Sequence, residues 1–222
     1  MLKRIFFLVA FCSLVWCSCT KENNAPAVDL QTEFYPLKVG SVYIYDVDSN
    51  DYTHFVPESY KFQIKDSVAD TFLDLTGQTN YRIERYRRNN SASNWIIQQV
   101  YSRNKSLRAG EEFINNQRFV RLVFPPTRGT SWNGNSKNTI GKQDYIIEEG
   151  ILPLTVNSLS FDSTVTVTEI DEFNLIQEDL VKSTYAKNVG LVQKTVTAIG
   201  KDISSGVITD GVAYTYKLTS YK

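Results

Sequence analysis

From residue 34 to the end of the chain, hydrophobic and polar residues alternate with a period of two, which is typical of half-buried β-strands. In residues 60–65, for example, Tyr, Phe and Ile alternate with Lys, Gln and Lys. Similar runs occur near residues 42–45, 95–101, 120–124, 165–167 and 214–218. We therefore predict about nine or ten strands rather than helices.

Turn residues separate these runs and indicate hairpins rather than crossovers. Pairs such as Asn133-Gly134 and Asp210-Gly211 supply the positive φ that tight connections require. The best helical candidate, residues 171–181, has weak apolar spacing, so a parallel sheet with crossover helices is disfavoured. The pattern predicts one antiparallel all-β domain over residues 32–222. Its sheet is either strongly curved and barrel-like or folded into a two-sheet sandwich.

The N-terminus has the pattern of an export signal. Basic residues Lys3 and Arg4 precede an uncharged run of twelve residues from Ile5 to Trp16. A membrane-spanning helix needs about 20 apolar residues, so this run is too short to be one. We predict a lipoprotein signal peptide at residues 1–18.

The cysteines are confined to the N-terminal region. Cys12, Cys17 and Cys19 are the three in the sequence, so a disulfide framework in the β domain is excluded. Ser18-Cys19 resembles a bacterial lipobox, in which a small residue precedes the cysteine that receives the lipid. We predict lipidation, with palmitate among the acyl chains, at Cys19.

Cys17 is the alternative lipidation site. It would place Leu14 at the usual leucine position three residues before cleavage, but bulky Trp16 would precede the cysteine directly. Either site predicts a protein anchored by lipid in the bacterial outer membrane, on a face that the sequence leaves open. Residues 19–31 are predicted to form a lipidated flexible tether.

Composition argues against nucleic-acid binding. The chain has 24 Lys and Arg against 24 Asp and Glu. Removal of residues 1–18 leaves 22 basic and 24 acidic residues, a net charge of −2. A protein that follows a phosphate backbone would show a concentrated basic surface, so no nucleic-acid partner is expected.

Three stretches resemble a known group of proteins: FYPLKVGSVYIY at residues 34–45, LVFP with GTSWNG at residues 122–134, and YAKNVGLV at residues 185–192. Together they resemble an uncharacterised group of envelope lipoproteins from Bacteroidetes-type bacteria. The group more often has Trp where this chain has Tyr43. The resemblance implies an all-β exported lipoprotein and brings no catalytic residues with it.

The sequence shows no pattern of catalytic or metal-binding residues. His54 is the single histidine, no Gly-x-Ser-x-Gly is present, and the usual zinc ligands are missing from the domain. Residues 46–51 fail the EF-hand pattern, since position six is Asp51 and position twelve is Pro57. An irregular calcium site and a polar hairpin remain alternatives there. We predict no enzyme activity, no metal and no cofactor.

Charged pairs and runs are interpreted as structural. Adjacent strand residues point to opposite faces, so the pairs Glu111 and Glu112, Glu148 and Glu149, and Asp171 and Glu172 do not by themselves form an acid–base couple. The arginine-rich residues 82–88 are predicted to form an exposed strand, with anion or headgroup contact as an alternative.

Aromatic residues are the main candidates for binding. They could line a concave face or simply fill the core, because Tyr and Trp are favoured in strands. We assign the ligand-binding role to Tyr43, Tyr45, Trp95, Trp132, Tyr214 and Tyr216, with Tyr101 in the same aromatic set. The leading hypothesis is a non-enzymatic module that binds an apolar ligand or another envelope protein. The alternatives are a surface glycan-binding or interaction module that uses Trp132 and, less favoured, a carbohydrate-active hydrolase.

Overall fold

The computed structural model of the protein describes residues 28–53 and 56–222, and the all-β prediction is confirmed there. These residues form one 3-10 turn, Thr32–Phe34, and thirteen strands that pair antiparallel. The strands are β1 (Val42–Asp51), β2 (Glu58–Leu73), β3 (Thr79–Arg88), β4 (Ile96–Lys105), β5 (Ala109–Ile114), β6 (Gln117–Val123), β7 (Ser131–Asn133), β8 (Asp144–Ile146), β9 (Leu152–Val156), β10 (Leu159–Phe173), β11 (Gln177–Ala186), β12 (Gly190–Lys201) and β13 (Ile208–Tyr221).

The strands form a sheet that closes almost completely on itself. Its order is β6-β5-β4-β3-β2-β1-β13-β12-β11-β10-β8-β7, with β9 paired to β10 beside this path. The two ends meet where the Val120 N–H donates to the Gly134 carbonyl at 2.9 Å. The Trp132 indole N–H donates to the Val120 carbonyl at 2.8 Å. Of the two architectures that the sequence left open, the structure is barrel-like.

The structure has more strands than the sequence pattern predicted. The additional ones include β7 and β8, of three residues each, and β9, of five. Segments of three residues cannot show the alternation over four to eight residues that identifies a strand, and Pro153 within β9 counts against a strand in the sequence. The helical candidate at residues 171–181 is instead a hairpin. Strand β10 ends at Phe173, the Asn174 N–H donates to the Gln177 carbonyl at 2.9 Å, and β11 begins at Gln177.

Two clusters of buried residues form the core. The first includes Tyr45, Ile64, Ile83, Val192 and Leu218. The second includes Phe34, Leu122, Ile147, Val165 and Val167. Burial of these apolar side chains is the main term that stabilises the closed sheet.

The segment that enters the barrel packs into the second cluster. Phe34 is fully buried just before Tyr35, and the Asn188 N–H fixes this segment by donating to the Glu33 carbonyl at 2.8 Å. The predicted signal peptide and Cys19 lie outside the described residues. Within residues 28–53 and 56–222, no helix has the length and apolar character needed to cross a membrane.

Candidate ligand-binding cavity

The inner face of the barrel encloses a cavity of about 380 Å³. This volume is within the about 300–1,000 Å³ typical of small-molecule sites. Six tyrosines line it, among them the predicted Tyr43, Tyr45, Tyr214 and Tyr216. Apolar lining residues include Leu37, Val68, Ile114, Phe119, Val189 and Leu191. Asn115 and Ile140 also line it and are exposed, Ile140 by 59%. The cavity therefore opens beside the turn between β5 and β6.

The two tyrosines of each pair, Tyr43 with Tyr45 and Tyr214 with Tyr216, share one parity along their strand and so lie on the same face of the sheet. Strands β1 and β13 are hydrogen-bonded neighbours, so the two pairs meet on one wall. The rings of Tyr214 and Tyr216 stack with centroids 5.2 Å apart, and Tyr45 lies 6.4 Å from Tyr216. The Tyr45 hydroxyl donates to the Leu191 carbonyl at 2.9 Å, which fixes the ring across the cavity.

The hydroxyls of Tyr214 and Tyr216 make no hydrogen bond within the part of the chain that the structure describes. Burial raises the pKa of Tyr214 to about 12 and also raises the pKa of Tyr216. Both hydroxyls are therefore neutral at physiological pH and can donate or accept a hydrogen bond.

Seven charged side chains of alternating sign form a connected line beside the cavity. We call them the interior charge chain: Arg85, Asp66, Arg103, Glu112, Arg121, Glu169 and Lys194. Each carboxylate lies between two cations. Because the line begins and ends with a cation, it contains four positive and three negative groups.

The successive distances are those of ion pairs. Asp66 lies 2.7 Å from Arg85 and 3.7 Å from Arg103. Glu112 lies 3.0 Å from Arg103 and 3.1 Å from Arg121. Glu169 lies 2.8 Å from Arg121 and 3.4 Å from Lys194.

Neutral hydroxyls supply further hydrogen bonds to the charge chain. The Tyr101 hydroxyl donates to Asp66 Oδ2 at 2.8 Å, and the Ser183 hydroxyl donates to Glu169 Oε1 at 2.5 Å. Arg121 Nη1 donates to the Tyr145 hydroxyl at 3.3 Å. Burial of these charges is tolerated because most of their polar atoms are paired.

Neighbouring charges keep the three carboxylates ionised. Burial by itself would raise the pKa of Glu112, but the charges of Arg121 and Arg103 outweigh it and hold the pKa at about 2. In Asp66 burial likewise opposes ionisation, and Arg85 contributes most to the net lowering of the pKa. The pKa of Glu169 is also lowered against burial, mainly by Lys194 and Arg121.

Sequence reasoning missed the charge chain. The prediction that residues 82–88 form an exposed strand is wrong for Arg85, whose side chain is largely buried. Arg85 follows the fully buried Ile83 by two positions and so has the same parity along the strand. Asp66 likewise lies between the buried residues Ile64 and Val68, and Glu169 follows Val167 by two positions. A charged residue at the inward parity of a strand is the sequence pattern that could have identified these positions.

Two of the six predicted aromatic residues are not among the residues that line the cavity. Trp95 lies just before β4, where the guanidinium of Arg88 stacks 4.3 Å from its ring. Trp132 lies in β7, where it donates to Val120 and packs edge-on against Tyr145 at 5.9 Å. The structure therefore brings Tyr43, Tyr45, Tyr214 and Tyr216 together and places the tryptophans elsewhere.

Adjacent carboxylates in the sequence have separate partners. Glu111 lies 2.5 Å from Lys137, whereas Glu112 belongs to the charge chain. Asp46, in the segment considered for calcium, lies in β1 and accepts a hydrogen bond from Gln63 at 2.7 Å. Across the described ranges, no group of three or more His, Cys, Asp or Glu side chains is placed to hold a metal ion. His54 and both candidate lipidation cysteines lie outside those ranges.

No protein-family model and no curated protein matches the chain. The chain is similar to two solved structures. One is a protein from Bacteroides fragilis that is described as exported and has a YmcC-like fold. Its comparison with this chain gives a TM-score of 0.47 and 8% sequence identity, and the match covers 85% of this chain and 98% of that one. The other is from Parabacteroides distasonis and assigned as a lipoprotein, at a TM-score of 0.38, 11% identity and the same coverages. The fold and the site together define an all-β, barrel-like protein with an interior cavity beside a line of buried charges.

Proposed function

We propose that this chain is an exported, lipid-anchored protein of the bacterial envelope that binds a small ligand in its cavity and does not catalyse a reaction. The observation that supports binding is the cavity itself. Small-molecule sites are concave, with volumes of about 300–1,000 Å³ and walls that are mostly hydrophobic and aromatic with a few polar groups. The cavity, of about 380 Å³, has such walls.

The walls of the cavity suit a ligand with an apolar body. The stacked rings of Tyr214 and Tyr216 form a flat surface, and Val68 and Leu191 contribute aliphatic surface. Each Å² of apolar surface that a ligand buries there contributes about 25 cal/mol. A glycan-binding role for Trp132 has less support, because its indole N–H is already bonded to the protein's own backbone.

The uncharged probe decan-1-ol tests whether the cavity binds ligands. We expect the full chain in phospholipid nanodiscs to retain more radiolabelled decanol in equilibrium dialysis than empty nanodiscs do. The substitution Ile114→Trp fills the cavity near its opening and should weaken binding at least about tenfold, since loss of about 60 Å² of apolar contact costs about 1.5 kcal/mol.

The matched control is Ile97→Trp, at a position 54% exposed and outside the lining of the cavity. This variant should bind decanol like the unchanged protein. No excess retention over empty nanodiscs, or equal affinities of the two tryptophan variants, would contradict binding in the cavity.

The lipid anchor is supported by the basic N-terminus, the uncharged run and Ser18-Cys19 in the sequence. We expect Cys19→Ser to abolish incorporation of an alkyne analogue of palmitate into the exported protein. The neighbouring substitution Cys17→Ser should leave incorporation unchanged. Loss of label in Cys17→Ser alone would move the site to Cys17, and no label in the unchanged protein would overturn the anchor.

A further inference from the structure

We propose that the ligand carries an anionic head group on its apolar body and that this group binds at Lys194. There it continues the alternation of positive and negative groups in the interior charge chain. This inference rests on the proposed function. A carboxylate and a phosphate ester share the required chemistry. Three features of the cavity support this ligand: the sign of the charge on its wall, the unused donors there, and the apolar surface beside them.

The cavity wall carries more positive than negative charge. The charged groups among the described lining residues are four cations, Arg85, Arg103, Arg121 and Lys194, and one anion, Glu112. Asp66 and Glu169, which pair with these cations, are not lining residues and so lie behind the wall. A ligand therefore meets more positive than negative charge, and an anion is the complementary partner.

Lys194 is the cation with the weakest partner. Its ammonium group has three donors, and the one hydrogen bond it makes among the described residues is to Glu169 Oε1 at 3.4 Å. The side chain is only 20% exposed, and Glu169 is shared with Arg121 at the shorter distance of 2.8 Å. Because Glu169 serves two cations, the charge of Lys194 is only partly balanced, so an incoming anion is stabilised at this end of the charge chain.

The two arginines at the other end also retain donors. Arg85 uses Nε and Nη2, and Arg103 uses Nε and Nη2, in the hydrogen bonds of the described residues. Their Nη1 groups make none there. Guanidinium donors of this kind bind carboxylates and phosphates through charge-assisted hydrogen bonds.

The apolar surface begins next to Lys194. In the pairing of β12 with β13, Lys194 lies directly opposite Tyr216, so the two side chains are neighbours on one face. Tyr216 in turn stacks on Tyr214. A head group at Lys194 therefore places the body of the ligand along the two tyrosine rings. Burial lowers the pKa of Lys194, and a bound anion would oppose that shift.

The test compares head groups on one ten-carbon chain. Full-length protein in nanodiscs is dialysed against radiolabelled decanoate, decyl phosphate, decan-1-ol or decylamine, and retention by empty nanodiscs is subtracted. At least one anion should bind about tenfold or more tightly than decanol, as expected for a hydrogen bond to a charged group, and decylamine should bind most weakly. The ranking of decanoate and decyl phosphate identifies which acid the site prefers.

Variants locate the head group. We expect Lys194→Met to remove most of the advantage of the anion over decanol, measured as the ratio of the two affinities in that variant, and an unchanged far-ultraviolet circular dichroism spectrum checks that the barrel remains folded. Lys201→Met is the matched control, because Lys201 lies on the same strand with its own carboxylate partner, Glu178, and does not line the cavity. It should keep the full preference for the anion.

Two results separate the inference from the function on which it rests. If decanol binds and no anion binds more tightly, or if Lys194→Met keeps the preference of the unchanged protein, the inference is wrong and the binding function stands. If none of the four compounds is retained above the level of empty nanodiscs, both are wrong.

Discussion

Replacement of Glu112 with glutamine is expected to lower the free energy of unfolding by about 3–5 kcal/mol at pH 7. Glu112 is the central carboxylate of the interior charge chain and pairs with Arg103 at 3.0 Å and with Arg121 at 3.1 Å. Its neutralisation leaves two buried guanidinium groups without their shared anion. Urea unfolding followed by far-ultraviolet circular dichroism measures the change.

The same substitution should flatten the dependence of stability on pH. The pKa of Glu112 is about 2 in the folded protein, below its ordinary value of 4.5. A lowered folded pKa contributes stability above the unfolded value, and this stability is lost as the pH falls through the folded value. The unchanged protein should therefore lose stability between about pH 5 and pH 2, and Glu112→Gln should lose less over that interval.

The control for this prediction is Glu149→Gln, at an exposed position. Its effect should stay within about 0.5 kcal/mol. If Glu112→Gln and Glu149→Gln unfold at the same urea concentration at pH 7, the pairing of Glu112 with the two arginines does not stabilise the fold.

The substitution Gly134→Ala is expected to destabilise the barrel by about 1–3 kcal/mol through overpacking. A Cβ atom at this position would lie 2.3 Å from Cζ of Tyr145, so the ring would have to move. Gly134 also accepts the hydrogen bond from Val120 that joins the two ends of the sheet, and it donates one to the Gln143 carbonyl at 2.9 Å. Displacement of Tyr145 therefore disturbs both the second core cluster and the closure of the barrel.

Gly150→Ala is the matched control, since a Cβ there would have nothing within 4 Å. Its unfolding free energy should remain within about 0.5 kcal/mol of the unchanged protein. Equal melting temperatures for the two variants would show that Tyr145 can move away without cost and that its packing on Gly134 does not hold the sheet closed.

The sequence predicted the strands better than it predicted their assembly. Alternation is a local property, so it placed Tyr43 with Tyr45, and Tyr214 with Tyr216, on common faces. It could not show that these faces meet, because β1 pairs with β13 at the other end of the chain. Nor could it distinguish a filled core from a cavity, which depends on how side chains from many strands fit together.

The predictions for charged and large aromatic residues were less accurate, for a physical reason. Charge ordinarily indicates exposure, but in Arg85 and Asp66 the cost of burial is offset by a partner on the neighbouring strand. The sequence makes Trp132 a candidate for glycan binding, but its indole bonds to the backbone of β6. In each case the deciding contact lies on another strand, so the residue's own segment does not identify the partner.

The cavity is lined by residues from both halves of the barrel, which are the strands before and after the β6–β7 connection. Ile114 and Phe119 belong to the first half, and Leu191 and Tyr216 belong to the second. A chain in which the two halves have not come together has no such cavity. Occupancy and closure are therefore thermodynamically linked, because a ligand that binds only the closed form shifts the equilibrium toward it. At a free concentration one hundred times the dissociation constant, that shift is worth about 2.7 kcal/mol. The loaded protein would then resist heat and proteases better than the empty one.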